Sequence, residues 1–515
     1  MDTTPYWIAT QPIPHFDPIQ HDVTVDVAIV GGGLTGITAA YLLKQAGARV
    51  ALIERGRCAA QDTGHTTAHL TMVTDLRLQQ VVKKFGRDGG KAFWDAGAFA
   101  IDQIHDIIRR ENIDCEFTWV PGYLHASLVD HDATNDRDSL MRDAELATEL
   151  GFAAEFVDVV PYCNQPGVRF PNQAKFHPRK YLAALLRTIP GDGSYVFENS
   201  EATGFEDEPL VVKVGERKVR CDFLFIATHN PLMGNKGLLT STLFQSKLAL
   251  YTSYVLGARL PSGAVPEALY WDTTDPYYYL RIDRQGEGDY AIFGGEDCKT
   301  GQEDDPLAVF ARLEKQMKKC LPMAEVQHRW LGQVIETNDG LPFIGEMAER
   351  QFVATGFCGN GFTLGTLAAA MARDQFLKRP NPWRDLLDVH RKKLLGGTWR
   401  YVTENIDYPF YMLRDRLARV KEESVDDIAP GQGGIVSIDG RKVAAARDER
   451  GHLTLLSPVC THLKCIVHWN DADRTWDCPC HGSRFKPTGE VIGGPAEQPL
   501  ENIEAKLPPA LHPID

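Results

Sequence analysis

The chain has 515 residues, 43% hydrophobic and 24% charged, a balance that fits a folded multidomain protein and excludes a disordered one. Its 55 basic and 69 acidic residues leave a net charge of −14 without a basic run, which argues against nucleic acid or anionic lipid as the main partner. Eleven cysteines are few for this length, yet Cys460, Cys465, Cys478 and Cys480 fall within 21 positions. Staples of a secreted fold would be spread along the chain, so this crowding reads as a metal site.

The opening MDTTPYWIATQPIPHF has no basic or apolar leader pattern, and a cytoplasmic protein is expected. The richest apolar run, Leu364–Ala372, is about half of the roughly 18–20 residues a spanning helix needs, so no membrane insertion is expected. Residues 24–56 read as strand, glycine turn, helix and strand. Residues 92–111 and 138–151 have helical spacing, and 247–297 alternate aromatic and polar residues as antiparallel strands do. Lys378–Pro382 breaks the pattern, 397–421 form a connector, and from Ile428 short strands separated by glycine turns take over.

Gly31-x-Gly33-x-x-Gly36 follows an apolar strand and opens a helix, and Glu54 closes the next strand. The glycines let backbone N–H groups approach a pyrophosphate at the positive helix end, while the carboxylate accepts ribose hydroxyls. The motif alone marks a dinucleotide site and does not separate FAD from NAD. No second motif of this kind appears, so a separate NAD(P)H domain is not expected and electrons enter from an organic substrate.

Three later segments separate the cofactors: Cys221–Pro231, Thr337–Gly345 (TNDGLPFIG) and Ala354–Gly365 (ATGFCGNGFTLG). With Gly64–Thr71 (GHTTAHLT), they resemble the flavin-contacting segments of the D-amino-acid oxidase-like FAD oxidoreductases, a likeness spanning roughly residues 22–380. It implies an α/β FAD-binding Rossmann-type domain with an antiparallel-sheet substrate domain. The implied cofactor contacts are Gly31, Gly33, Leu34, Thr35, Gly36, Glu54, Arg55, Thr66, Thr67, Asp339, Gly340, Gly361, Phe362 and Thr363. In that family the middle sheet covers the flavin, which places Trp271, Tyr277, Tyr278, Tyr279 and Arg281 near a substrate. Tyr279 and Arg281 are the candidate catalytic pair, the arginine as a bidentate carboxylate clamp; aromatic sheet packing with a surface arginine is the alternative. Some relatives attach flavin through histidine, and His65 and His69 lie beside the presumed flavin loop.

The cysteine cluster reads Cys460-x-His462, fifteen residues, then Cys478-x-x-His481. Two thiolates and two imidazoles are the ligand set of a Rieske [2Fe–2S] centre. Zinc also accepts this donor set. C-x-H is too tight for the usual zinc knuckle, however, and the glycine-rich tail after His481 has no zinc counterpart. The run CTHLKC…CPCHGSRF…GGPA closely resembles the Rieske proteins of respiratory and photosynthetic cytochrome complexes over roughly residues 428–505. That resemblance implies a small all-β domain with Cys460, His462, Cys478 and His481 as iron ligands and Cys465–Cys480 as a disulfide.

The expected organisation is an FAD oxidoreductase over 1–395, a linker over 396–427 and a Rieske domain over 428–515. FAD-binding parts are expected at about 22–95, 150–240 and 330–380, with substrate-domain parts at about 96–149 and 241–329. Ring-hydroxylating oxygenases place a mononuclear iron domain after the Rieske module; only about 30 residues follow His481, so that class is set aside. The expected function is oxidation of a small organic molecule, an amine or amino acid, at FAD. Electrons then pass singly through the cluster to an external acceptor, protein or quinone-like. The alternative is an electron-transfer protein feeding a partner oxygenase. High-potential Rieske proteins carry a tyrosine two residues after the serine that corresponds to Ser483, and here Phe485 stands there without a hydroxyl. Redox titration of Phe485→Tyr is expected to move the cluster midpoint upward; an unmoved midpoint refutes the argument.

Overall fold

The computed structural model describes residues 2–129, 133–231, 247–391, 410–411, 414–416 and 425–504. The connector expected over 397–421 and the linker over 396–427 therefore fall largely outside the described residues.

Strands Val27–Val30 and Val50–Ile53 are apolar and buried along their whole length, as parallel strands covered on both faces must be. They form the centre of a six-stranded sheet ordered Phe343–Ala348, Gln351–Thr355, Phe223–Ile226, Val27–Val30, Val50–Ile53, Tyr195–Phe197. All of its pairings are parallel except the edge pairing of Phe343–Ala348 with Gln351–Thr355. Helix Leu34–Gln45 follows the first central strand and is buried over its first ten residues. It packs under helix Gly361–Phe376, where a Cβ on Gly365 would stand 2.5 Å from Thr35 Oγ1, so glycine there permits the close crossing. The helix expected at 92–111 is the second limb of Leu78–Glu111, kinked at Gly86 (φ +77°) and ended by Asn112 in the left-handed region.

A second, nine-stranded mixed sheet runs Glu325–Thr337, Leu248–Leu260, Gly288–Lys299, Tyr279–Gln285, Leu269–Asp272, Thr118–His125, Gly167–Lys175, His69–Leu70, with Glu155–Val157 beside Gly167–Lys175. Its central strands are the antiparallel run expected at 247–297. Gly167–Lys175 and Glu325–Thr337 also belong to this sheet, although most of each lies in a span allotted from sequence to the nucleotide-binding part. Pairing between strands so distant in the chain has no local signature. The C-terminal part holds two small antiparallel sheets, Gly433–Ile438/Arg441–Arg447/Leu453–Leu456 and His468–Asn470/Thr475–Asp477/Arg484–Phe485/Val491–Gly493. Among the described residues no helix is long and apolar enough to cross a membrane.

One buried ion network ties the large sheet together. Arg281, 2% exposed, bonds Asp283 at 2.9 Å, and Lys175 on another strand bonds the same carboxylate at 2.7 Å. Burial alone would raise the Asp283 carboxyl; Arg281 and Lys175 pull it below its ordinary value. A depressed carboxyl stabilises the fold above its unfolded pKa, and that contribution is lost as pH falls through the lower folded value. Asp283→Asn leaves two buried cations without their shared partner and is expected to cost about 3–5 kcal/mol in urea unfolding at neutral pH. The difference from wild type should shrink only in acid, below the ordinary carboxyl range.

Candidate functional site

A cavity of about 620 Å³ lies between the two large sheets and the C-terminal part, within the roughly 300–1,000 Å³ usual for cofactor sites. The glycine turn forms one end. A Cβ on Gly31 (φ +108°) would stand 2.4 Å from the Ala227 carbonyl oxygen, and one on Gly36 1.9 Å from that of Gly31. These contacts require glycine and hold the turn flat against the helix start. Glu54 accepts the Gly32 N–H at 2.7 Å and the Gly56 N–H at 2.8 Å, and burial raises its carboxyl. Helices Leu34–Gln45 and Gly361–Phe376 both begin at this cavity, so two positive helix ends face the space a pyrophosphate would fill. The residues present fit FAD.

Residues Gly64–Thr71 form a side wall held through its backbone oxygens. The indoles of Trp330 and Trp7 donate to the carbonyls of His65 (2.8 Å) and Thr66 (2.7 Å). Arg281 donates to those of Thr67 and Ala68 at 3.2 and 2.8 Å, and the Thr363 hydroxyl to that of Thr71 at 3.0 Å. Beside it the large sheet, which takes in His69–Leu70, lines the cavity. There the Tyr279 hydroxyl lies 2.8 Å from Ser253 Oγ, which donates to Asp297 at 2.5 Å. Burial pushes the Tyr279 phenol well up, so it stays protonated and serves as a donor.

In the C-terminal part, Cys460–Cys465 and Cys478–Ser483 form two facing loops joined by a Cys465–Cys480 disulfide. The rings of His462 and His481 lie 5.0 Å apart. Burial holds both imidazoles neutral, His462 at about 4 and His481, beside it, at about 3. The Cys460 thiol is made acidic chiefly by a hydrogen bond with Cys478, then by the His462 backbone and the Ser483 hydroxyl. The Cys478 thiol, which donates that bond and is buried, is pushed well up, so the pair shares one readily lost proton; two neutral imidazoles beside two adjacent cysteine sulfurs suit a [2Fe–2S] centre. Sulfur atoms of Cys465, Cys478 and Cys480 lie within 4.8 Å of one another, but two of the three are spent on the disulfide.

The two sites adjoin. Gln333 lines the large cavity and donates through Nε2 to the carbonyl of Gly482, next to His481, at 3.0 Å. Gln302 donates to the Pro479 carbonyl at 3.0 Å, and Arg55 to that of Ile492. A Cβ on Gly482 would stand 2.6 Å from Leu250 Cβ, and one on Gly301 2.7 Å from the Cys478 carbonyl carbon. Backbone approaches this close seat the second cluster loop on the large sheet.

Of the candidate cofactor contacts, Gly31, Gly33, Leu34, Thr35, Glu54, Arg55, Thr66, Thr67 and Gly361 line one cavity with Tyr279. Others stand behind it. Gly36 braces the turn, Phe362 packs edge-on against Phe176, and Thr363 holds the Thr71 carbonyl. Asp339 pairs with Arg391 at 2.8 Å, and Gly340 (φ +83°) turns the chain between two strands. Arg281 is a correction: its guanidinium is consumed by Asp283 and by the carbonyls of Thr67, Ala68 and Phe176, so it is neither a surface residue nor a carboxylate clamp. Cys358 lines the cavity, but burial pushes its thiol up to about 12. Sequence reasoning missed Asp75, Ser253, Asp297 and Gln333; for the last three the alternation of their strands was the one available signal, and it does not say which face meets the cavity, while Asp75 lies in a loop without periodicity.

Residues 26–375 match the family model described as FAD dependent oxidoreductase, and 418–504 the Rieske [2Fe-2S] domain model. The chain belongs to the FAD-dependent oxidoreductases and carries a Rieske domain at its C-terminal end; its cofactors are FAD and a [2Fe–2S] cluster. YhfW of Bacillus subtilis, described as a Rieske 2Fe-2S iron-sulfur protein, is 33% identical over 97% of both chains. Gamma-glutamylputrescine oxidoreductase of Escherichia coli is 23% identical over 78% of this chain and 95% of its own. The crystal structure of glycine oxidase from Geobacillus kaustophilus shares the fold, with a TM-score of 0.59 and 17% identity over 72% of this chain and all of that one.

The disulfide ties loops 15 residues apart in sequence. A loop of that length is worth about 3 kcal/mol in chain entropy. Cys480→Ser is expected to lose the cluster's EPR signal at a lower urea concentration than wild type, with flavin absorbance retained.

Proposed function

We propose that this protein oxidises a small amine or amino acid at a C–N bond and exports the electrons through its Rieske domain. Bound FAD would supply a two-electron acceptor for that bond, and the cluster a one-electron relay to an external acceptor, protein or quinone-like. In this reading Gly31, Gly33, Leu34, Thr35, Glu54 and Gly361, with Thr66 and Thr67, line the cavity and would hold the cofactor. Cys460 and Cys478 would hold the cluster as thiolates and His462 and His481 as neutral imidazoles, a ligand set that would lower the negative charge the cluster carries. Tyr279 donates its proton to Ser253, which donates to Asp297, and its phenol oxygen so anchored is left to accept from a substrate N–H.

The observation that carries the reading is the seating of the second cluster loop on the cavity wall. Gln333 touches both the cavity and Gly482. A cluster with a merely regulatory role would not require its ligand loop to share a side chain with the cavity. The amine side is supported by the kinship with oxidoreductases named for an amine and for glycine.

An anaerobic panel of amines and amino acids tests it. A true substrate should bleach the flavin and then raise the cluster's reduced EPR signal in the same molecules. Bleaching by NAD(P)H, with none by any amine or amino acid, would favour an electron-transfer protein serving a partner oxygenase and would overturn the proposal.

A further inference from the structure

The part of the cavity beneath the large sheet is acidic and aromatic. Asp75 and Asp297 line it together with Ser253, Trp271, Tyr277 and Tyr279. A Cβ on Gly359 would stand 2.5 Å from Asp75 Oδ2 and 3.0 Å from the Tyr277 hydroxyl, so these two groups meet over a glycine that leaves them room. Tyr277 hydrogen-bonds Asp75, and its ring centroid lies 5.7 Å from that of Tyr279. Asp297 is bound to Tyr279 through Ser253. Asp75 keeps accessible surface, but protein surrounds it on the cavity wall, so that surface opens into the chamber.

From this we infer that the chamber accepts a cationic amine lacking a carboxylate, with Asp75 and Asp297 receiving the ammonium group and the tyrosines and Trp271 flanking its carbon frame. The inference rests on the cavity being the substrate site of a C–N oxidising flavoprotein.

Two independent observations carry it. The first is charge. Burial raises both carboxyls, Asp297 to about 7 and Asp75 well above the carboxylate range, and the charge of Glu336 raises each further. Asp297 also acts on Asp75, and Asp275 and Glu296 on Asp297. Carboxyls raised by burial and by like charge ionise readily beside an arriving cation, whereas an arriving anion would raise them further. Aromatic faces add attraction for an ammonium group.

The second is the withdrawal of the candidate anion clamps among the described residues. Arg281 is spent behind the wall on Asp283 and three carbonyls. Of the lysines and arginines lining the cavity among the described residues, Arg57 pairs with Glu198 and Arg55 reaches the Ile492 carbonyl. Lys486 acts on Glu490 in the C-terminal part. His69, in edge contact with Tyr279 at 5.8 Å, is held neutral at about 3 by burial and by the charge of Arg281. An α-amino acid would bring its carboxylate among acids, with no guanidinium among the described lining residues turned to receive it.

Calorimetric titration of the fully loaded protein at pH 8 with tert-butylammonium, tert-butanol and pivalate separates the cases. These share one carbon frame, and none has the α-hydrogen that oxidation removes, so the readout is binding alone. The ammonium ion should bind at least tenfold tighter than the other two. Asp75→Asn and Asp297→Asn should each weaken it at least tenfold with the flavin spectrum unchanged. Pivalate or tert-butanol binding as tightly, an unaltered affinity in both variants, or no binding of the ammonium ion would overturn the inference. Ammonium binding in a protein whose flavin no amine bleaches would instead refute the redox proposal and leave the chamber's preference standing.

Discussion

The backbone oxygens of one short loop must be satisfied inside the protein, and much of the site follows from how that is done. Residues Gly64–Thr71 run beside the cavity with their carbonyls turned into the core. A buried carbonyl without a donor costs about as much as a lost hydrogen bond. Trp7, Trp330, Arg281 and Thr363 supply the donors, each from a different element. The loop is thereby tied to the N-terminal segment, two strands of the large sheet and the second helix that opens on the cavity.

Arg281 shows why this matters for chemistry. A guanidinium presents five donors in a fixed fork. Here they go to a carboxylate and to backbone carbonyls, and Lys175 shares the same carboxylate. The charge that looked available for a substrate is structural, and the chamber in front of it is left to carboxylates and phenols. A side chain one layer deeper than expected reverses the sign of the pocket.

The Rieske part is joined to the flavin part by close backbone packing as much as by side chains. Glycines at 301 and 482 let the second cluster loop sit directly on the large sheet, and Gln333 and Gln302 satisfy the carbonyls of Gly482 and Pro479 that this seating covers. Both histidines of the ligand set are kept neutral there, the protonation state that binds iron.

By itself the sequence determined the two cofactor classes and their local frames. The glycine turn, Glu54 and the Cys–His loops are contiguous motifs whose spacing is dictated by the group each must meet, so they are readable without a fold. Hydrophobic alternation likewise revealed the strands at 247–297 and the helices. Tertiary structure alone decided which strands share a sheet, that Asp339 and Arg281 stand behind the wall, and that Asp75 and Asp297 face one chamber. Those facts depend on how segments distant in the chain come together: Asp75 and Asp339 lie in loops without periodicity, and along the strands a period of two residues marks two faces without saying which one is turned inward.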